Sequence, residues 1–342
     1  VGAISPWNLP LYLLTWKIAP AIAAGNTVVA KPSEVTPYTA FLFSKICKKA
    51  GVPPGVINIV HGLGSCVGEE IVKHKSVPVI SFTGGTKTGK RIAKISSNQF
   101  KKLSLELGGK NPNIIFSDTD IDKAVDWAIK SSFLNQGQIC LCGSRIFIEK
   151  VIYEKFKSLF VQKTKALVVG DPKNKSSFLG AVVSKDHMKS VLNKISSAKK
   201  DGGVVLAGGK RLLFPGKLKG GYFIEPTIIE GLGYLSNTNQ EEIFGPVVCL
   251  IPFEEEEEVV KMANSTIYGL SASIFTENIS RAHRVASKIK SGVVWINSWL
   301  IRDLRIPFGG MKSSGLGREG GFNSLNFFTE SKNVCLKIDS KT

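Results

Sequence analysis

The chain has 342 residues, 43% of them hydrophobic, and its 45 lysines and arginines against 27 acids give a formal net charge of +18. That length suits two domains with sizeable cores, and no apolar run reaches the roughly 18 residues a membrane-spanning helix needs. Cys47, Cys66, Cys140, Cys142, Cys249 and Cys335 are too dispersed for the disulfide framework of a small secreted protein, and the four histidines stand apart, so no metal site is indicated.

The lysines fall singly or in pairs, without the arginine–aromatic interleaving or motifs of nucleic-acid binders. Steering of an anionic small molecule is the better use of the charge. The first residues already read as a buried strand, with no secretory leader. The expectation is a cytoplasmic protein whose sequence here lacks an N-terminal portion.

Strand-like runs follow at residues 1–5, 27–31, 56–60, 79–82 and 102–107, with helical stretches between them. In one of these, Thr36 is placed to cap, Pro37 to open the helix, Lys48 and Lys49 to sit in its last turn and Gly51 to close it. Alternation of this kind implies right-handed crossovers and a parallel, doubly wound α/β sheet of the Rossmann-like, nucleotide-binding type. Its ligand belongs beyond the carboxyl ends of the strands. A composition break at residues 108–112 leads to a second α/β region. That region has an amphipathic helix on Ile121, Ala124, Val125, Ala128 and Ile129, a strand at 144–148, a helix from about Val151, an acidic helix start at 254–258 and a strand at 292–297. The alternating run at 327–338 suits an edge strand. The division expected is 1–108 for the nucleotide domain, 109–313 for a catalytic domain, and 314–342 for a return segment with an oligomerisation strand.

Glycine patterns need their context. The full G-x-G-x-x-G match at residues 315–320 has no strand before it and only 22 residues after it, so it reads as a loop. Gly64 and Gly68, and Gly84 and Gly85, follow strands and open helices, where free N–H groups can hold a pyrophosphate. Lys31-Pro32-Ser33-Glu34 ends the second strand. Glu34 there suits an adenosine ribose and repels a 2′-phosphate, favouring NAD over NADP, or else the segment is a polar turn.

Three residues carry the chemistry. Cys140 lies in a glycine-containing loop, where a cysteine is either an activated nucleophile or a small core residue. Glu106 ends an apolar strand, which suits a general base of raised pKa unless it faces solvent or pairs with Lys110. Asn8, after the first strand, either donates to an oxyanion or stabilises its turn.

In order, Pro6-Trp7-Asn8, Lys31-Pro32-Ser33-Glu34, Phe82-Thr83-Gly84, Leu105-Glu106-Leu107-Gly108-Gly109-Lys110, Gly137-Gln138-Ile139-Cys140, Glu242-Ile243-Phe244-Gly245-Pro246 and Pro307-Phe308-Gly309-Gly310 resemble the aldehyde dehydrogenase superfamily over essentially the whole chain. The resemblance implies an NAD-dependent oxidation of an aldehyde to an acid. Cys140 would be the nucleophile, Asn8 and the Cys140 N–H would hold the oxyanion, and Glu106 would activate water. It assigns Trp7, Lys31, Glu34, Gly64, Gly68, Gly84, Gly85, Glu242 and Phe244 to the cofactor. Lys17 and Glu319 would pass protons near Glu106, and the full-length enzyme would be a homodimer or homotetramer. Gly85 departs from the usual serine beside the pyrophosphate. Members of the family also carry further residues ahead of this point.

The segment Trp299-Leu300-Ile301-Arg302-Asp303-Leu304-Arg305 bears on specificity. Arg302 falls where an aromatic residue is usual, and an arginine there clamps a carboxylate unless it pairs with Asp303 or Glu319. Leu9, Leu13, Trp16, Leu134 and Phe308 are expected as apolar walls. The pattern looks like the 2-aminomuconate-semialdehyde dehydrogenase branch, associated with tryptophan (kynurenine) degradation. The alternatives are a dehydrogenase for retinal or another apolar aldehyde, a non-catalytic truncated homologue, and a cofactor-free thiol esterase.

Overall fold

A computed structural model describes residues 1–338. The β-branched and apolar runs anticipated from the sequence form β1 (Gly2–Ile4), β2 (Val28–Lys31), β3 (Ile57–Ile59), β4 (Val79–Thr83) and β5 (Lys102–Glu106). Side chains with two heavy atoms on Cβ fit the pleated surface, and near-continuous apolar runs are what a parallel sheet covered on both faces requires. All five strands are parallel, in the order β3-β2-β1-β4-β5. The order reverses between β2 and β4 around β1, which opens a crevice at the carboxyl ends.

Between the strands lie α1 (Pro10–Ala23), α2 (Tyr38–Lys49), α3 (Glu69–Lys73) and α4 (Thr86–Ser97). Pro10 occupies the first turn of α1, where its missing N–H costs nothing. In α2 the expected cap is corrected. Pro37 is the N-cap, its carbonyl accepts from the Phe41 N–H, and the Thr36 hydroxyl is buried without a partner. Pro37 adopts helical angles itself, so the boundary moves one residue on and Thr36 is too far back to reach the first free N–H groups.

The glycine-rich segment at 315–320 also differs from expectation. Gly315–Leu316 is a short strand antiparallel to β5, extending this first sheet to six strands. A Cβ on Gly315 would stand 2.5 Å from the Leu105 carbonyl, so only glycine lets the two backbones approach so closely.

The second sheet has seven strands, all parallel except Val204–Ala207 at one edge. Its centre is β6 (Asn111–Ile115) beside β7 (Gly143–Glu149). The break read at 108–112 is therefore partly a strand. Pro112 is tolerated because the register to β7 shifts between Asn111 and Pro112, so the missing N–H falls at an irregularity. α5 (Ile121–Phe133) follows, capped by the Asp120 side chain accepting from the Lys123 N–H, with Ala124, Val125, Ala128 and Ile129 buried on one face as their spacing requires. It packs on α6 (Tyr153–Lys165), where Phe133 and Phe156 both stack on Phe160. The acidic run caps the helix Glu256–Ala263 through a reciprocal Glu255–Glu258 box.

The apolar alternation at 327–338 does not produce a strand. Phe327 ends the helix Gly321–Phe327, and residues 331–338 have no regular structure, with Val334, Leu336 and Ile338 exposed. A strand needs a neighbouring ladder for its N–H and C=O groups, and neither sheet offers one to this segment. Residues 339–342 of the expected C-terminal segment lie outside the described residues. No helix of the described residues is long and apolar enough to cross a membrane.

Candidate active site

Two cavities meet at the carboxyl end of the first sheet. The larger, of about 890 Å3, runs along the crevice. At one end are Lys31 and Glu34 from the turn after β2, with Gly64 and Gly68 from the segment before α3; Gly84 and Gly85, after β4, come next. Lys31 Nζ and Glu34 Oε2 are 2.9 Å apart. α4 begins directly after Gly85 without a side-chain cap, so its free N–H groups are available to an anion. At the far end stand Trp7, Glu242, Phe244 and Cys140. A ribose-binding acid, glycine turns, a bare helix start and an aromatic end fit a dinucleotide, and the cavity is long enough to bring one end of it to Cys140.

Glu242 Oε1 accepts from the Gly109 N–H at 3.0 Å. Burial is the main reason its carboxyl is pushed up to about 7, against the Gly109 hydrogen bond and Lys110, which pull it down. Phe244 has φ 57°, the left-handed region, and its carbonyl is held by His187 Nε2 at 2.7 Å. Its ring meets Trp7 edge-on, with centroids 5.3 Å apart. The backbone twist at Phe244 is thus held by contacts on both sides.

The smaller cavity, about 320 Å3, is a tunnel from the other side. Asn8, Thr83 and Cys140 line both spaces. Cys140 follows a turn in which Asn135 and Gln136 both have positive φ. Asn8 Nδ2 donates to the Gln138 carbonyl at 2.9 Å, and Asn135 Nδ2 to the Asn8 carbonyl at 3.2 Å, tying the Cys140 loop to the turn after β1. The thiol is half-buried rather than exposed. Burial first, then the carboxylates of Glu242 and Glu106, push its pKa up, the opposite of the activation a lone loop cysteine would suggest.

Glu106 ends β5 and is buried, neither facing solvent nor paired with Lys110. Burial, reinforced by the charge of Glu319, holds its carboxyl well above the ordinary range; Lys17, Arg318 and Arg302 oppose this. Lys17 Nζ lies 2.8 Å from Glu319 Oε1 and donates to Ser81 Oγ at 3.0 Å. Lys17 and Glu319 are therefore paired with each other, and both act electrostatically on Glu106. Glu106 Oε1, Asn8 Oδ1 and Thr83 Oγ1 are all buried without hydrogen-bond partners, an orphan cluster at the junction of the two cavities. Natural proteins keep few such atoms, and three of them lining one small cavity fit a place where a bound molecule completes the bonding.

Arg302 lines the tunnel. It pairs with neither acid considered for it, because Asp303 bonds Arg305, while Glu319 takes Lys17 and the Trp16 indole N–H. Leu9, Leu13, Trp16 and Phe308 line the tunnel as expected. Leu134 does not. It lies at the exposed end of α5, turned away where the chain enters the positive-φ kink, and Tyr12, Ile139, Leu141 and Leu300 supply the wall instead.

Two residues went unread in the sequence. Asn111 Nδ2 donates to the carbonyls of Cys140 and Cys142 at 2.7 and 2.9 Å, and its Oδ1 accepts from the Ser271 N–H. Thr83 borders both cavities. Asn111 stood within the apparent break before Pro112, and only its position at the head of a buried strand gives it meaning. A Cβ on the neighbouring Gly109 would lie 2.6 Å from the Cys140 carbonyl, so glycine there lets the loop close down.

The model of the aldehyde dehydrogenase family matches residues 1–334. The chain is 54% identical over 338 residues to a mouse protein named 2-aminomuconic semialdehyde dehydrogenase, covering 98% of this chain and 69% of that one. A Pseudomonas protein named 2-aminomuconic 6-semialdehyde dehydrogenase is 47% identical, with 100% and 70% covered. Among solved structures, a betaine aldehyde dehydrogenase from Staphylococcus aureus crystallised with NAD+ superposes with a TM-score of 0.93 at 42% identity, over 96% of this chain and 65% of that one. The chain thus spans about two thirds of the length of these relatives, and it belongs to the aldehyde dehydrogenase family.

Proposed function

We propose that this protein oxidises an aldehyde to a carboxylic acid with NAD, and that its substrate is a short semialdehyde bearing a distal carboxylate, 2-aminomuconate semialdehyde or a close analogue. One observation carries the reading: Cys140 stands where a dinucleotide-sized crevice meets a separate tunnel, with Glu106 in that tunnel. The names of the mouse and Pseudomonas relatives point to the same substrate.

In this reading Cys140 gives its thiol proton to Glu106, Sγ adds to the aldehyde carbon, and the Asn8 amide and the Cys140 backbone N–H receive the oxyanion. A dinucleotide held in the crevice would supply the hydride acceptor, and Cys140 would then carry the acyl group as a thioester. Glu106 takes a proton from water, whose oxygen attacks the acyl carbon; the carbon–sulfur bond breaks, releasing the acid and leaving Cys140 as its thiolate. Lys17 and Glu319 relay each proton outward. Lys31 and Glu34 hold the adenosine ribose, Gly64 and Gly68 border the adenine, Gly84 and Gly85 face the pyrophosphate, and Glu242 with Phe244 and Trp7 fix the nicotinamide end. Arg302 receives the substrate carboxylate. An apolar-aldehyde enzyme has no use for an arginine in its tunnel, and a cofactor-free esterase has none for the crevice.

The test is NADH formation from NAD and a carboxylated semialdehyde, compared with a Cys140→Ala variant. NADH formed equally by the variant rejects the nucleophile. With Arg302→Ala, a fall in kcat/KM no larger for the carboxylated semialdehyde than for a neutral aldehyde rejects the clamp. Six free cysteines fit a cytoplasmic location, and the exposed apolar residues of the 331–338 segment fit an oligomerisation strand supplied with its ladder by a second copy. The three-part division at 108 and 313 follows the two sheets, with the return segment adding its short strand to the first.

A further inference from the structure

The guanidinium of Arg302 does not hang free in the tunnel. Its carbon lies 3.9 Å from the centroid of the Phe308 ring and 5.1 Å from that of Trp16, both within the range of cation–π attraction. Tyr12 stacks on the other part of the wall, 5.8 Å from Trp16. The Trp16 indole N–H is tied to Glu319 Oε2, and Phe308 is tied through its backbone to Glu319 by a reciprocal pair at 2.8 and 2.7 Å. The Trp16 ring and the Phe308 backbone are therefore held by contacts other than those with Arg302.

Charge makes the occupant decisive. The acidic residues lining the tunnel are Glu106 and Glu319, and Arg302 is the sole basic one among the described residues. Glu319 is matched by Lys17 from behind. Arg302 thus sets the sign of the field a substrate tail meets, while its neighbours Asp303 and Arg305 satisfy each other on the exposed side.

We infer that Arg302 is a built-in occupant of an aromatic cage: it admits aldehydes with an anionic tail, shuts out those with a quaternary ammonium tail, and its removal turns the same tunnel into a site for the latter. The inference rests on the proposed clamp but adds a property the clamp does not require. With the guanidinium gone, the Trp16 and Phe308 rings that flank it, with Tyr12 on the same wall, are what a compact, permanently charged cation binds.

The experiment compares kcat/KM in the intact enzyme for three aldehydes of matched chain length, ending in a carboxylate, a neutral tert-butyl group and a trimethylammonium group. The tert-butyl compound has the shape of the cation without its charge, so their ratio isolates the cage. The native chain should rank carboxylate above tert-butyl above trimethylammonium. In Arg302→Ala the trimethylammonium aldehyde should exceed the tert-butyl one by about tenfold, the scale of a desolvated cation–π contact. Replacing Phe308 by leucine in that variant should reduce the gain. A tert-butyl aldehyde used as well as the trimethylammonium one by Arg302→Ala overturns the cage, even where the carboxylate preference is lost as the clamp requires. A carboxylate preference that survives in Arg302→Ala sinks the clamp instead. Arg302→Gln, which keeps most of the side-chain volume, guards against misfolding. It should lose the carboxylate preference, and a native ranking in it counts against both ideas.

Discussion

Lys17 and Glu319 are 302 residues apart in the chain and 2.8 Å apart in space. Lys17 comes from α1, and Glu319 from the segment that returns across the first sheet after the second is complete. The lysine side chain is fully buried and the carboxylate nearly so. The same carboxylate holds Trp16, contributes to the raised pKa of Glu106 and pairs through its backbone with Phe308. One ion pair therefore links Glu106 to the tunnel wall.

Glu319→Ala should cost about 3–5 kcal/mol, because it strands the Lys17 ammonium in the interior. Lys17→Met with Glu319→Leu should recover much of that loss, since neither charge then remains buried. Urea unfolding of the intact enzyme measures both. A single variant losing under about 1 kcal/mol would show that water reaches the pair and screens it.

The raised pKa of Glu106 has two consequences of opposite use. Water activation needs the carboxylate, so thioester hydrolysis should rise with pH through a point well above the ordinary 4.5. In stability, the folded state retains a proton that the unfolded chain gives up. Its contribution is complete below the ordinary value and is lost as pH rises through the raised one. Glu106→Gln should therefore stabilise the protein at neutral pH relative to acid pH. It should also reduce turnover to an initial burst of NADH followed by slow release. Full steady-state turnover in this variant assigns the base elsewhere.

Asn111 fastens the Cys140 loop by two hydrogen bonds and ties it to Ser271 by a third. Asn111→Ala leaves two carbonyls and one N–H without that partner in a buried place, for an expected loss of about 2–4 kcal/mol. Because one of those carbonyls belongs to Cys140, kcat should fall as well. Thermal melting and NADH formation give the two values, and a variant with native stability but no activity would assign Asn111 a direct chemical role instead.

Gly85 is the N-cap of α4, with φ −70° and ψ 146°, and a Cβ there meets nothing within 4 Å. Serine fits that backbone and can cap the helix, so Gly85→Ser should gain about 1 kcal/mol of stability at most. Its hydroxyl also faces the crevice beside the helix start, and NAD should bind more tightly. Titration of NAD by fluorescence checks this. Weaker binding by a stably folded variant would place the pyrophosphate away from Gly85.

The parts visible in the amino-acid sequence were those set by local order. Apolar runs of strand length, each followed by a glycine or an Asn, Lys or Glu turn, reveal the first sheet and the groups at its carboxyl ends. Asn8, Lys31, Glu34, Gly84 and Glu106 all belong to strand ends, where a parallel sheet gathers them without further instruction. What no local pattern contains is partnership across distance. The alternation at 327–338 has the period of a strand and joins no ladder among the described residues, whereas the glycines at 315–320 look like a loop and begin with a strand because β5 has a free edge. Leu134 and Leu141 are equally apolar, and only the kink at Asn135 and Gln136 decides that the second faces the tunnel. Arg302 shows the division best. Its charge and its place in the chain suggest an anionic substrate, but the rings of Trp16 and Phe308 around it come from segments brought together by tertiary packing, and side-chain surroundings of that kind depend on the whole fold.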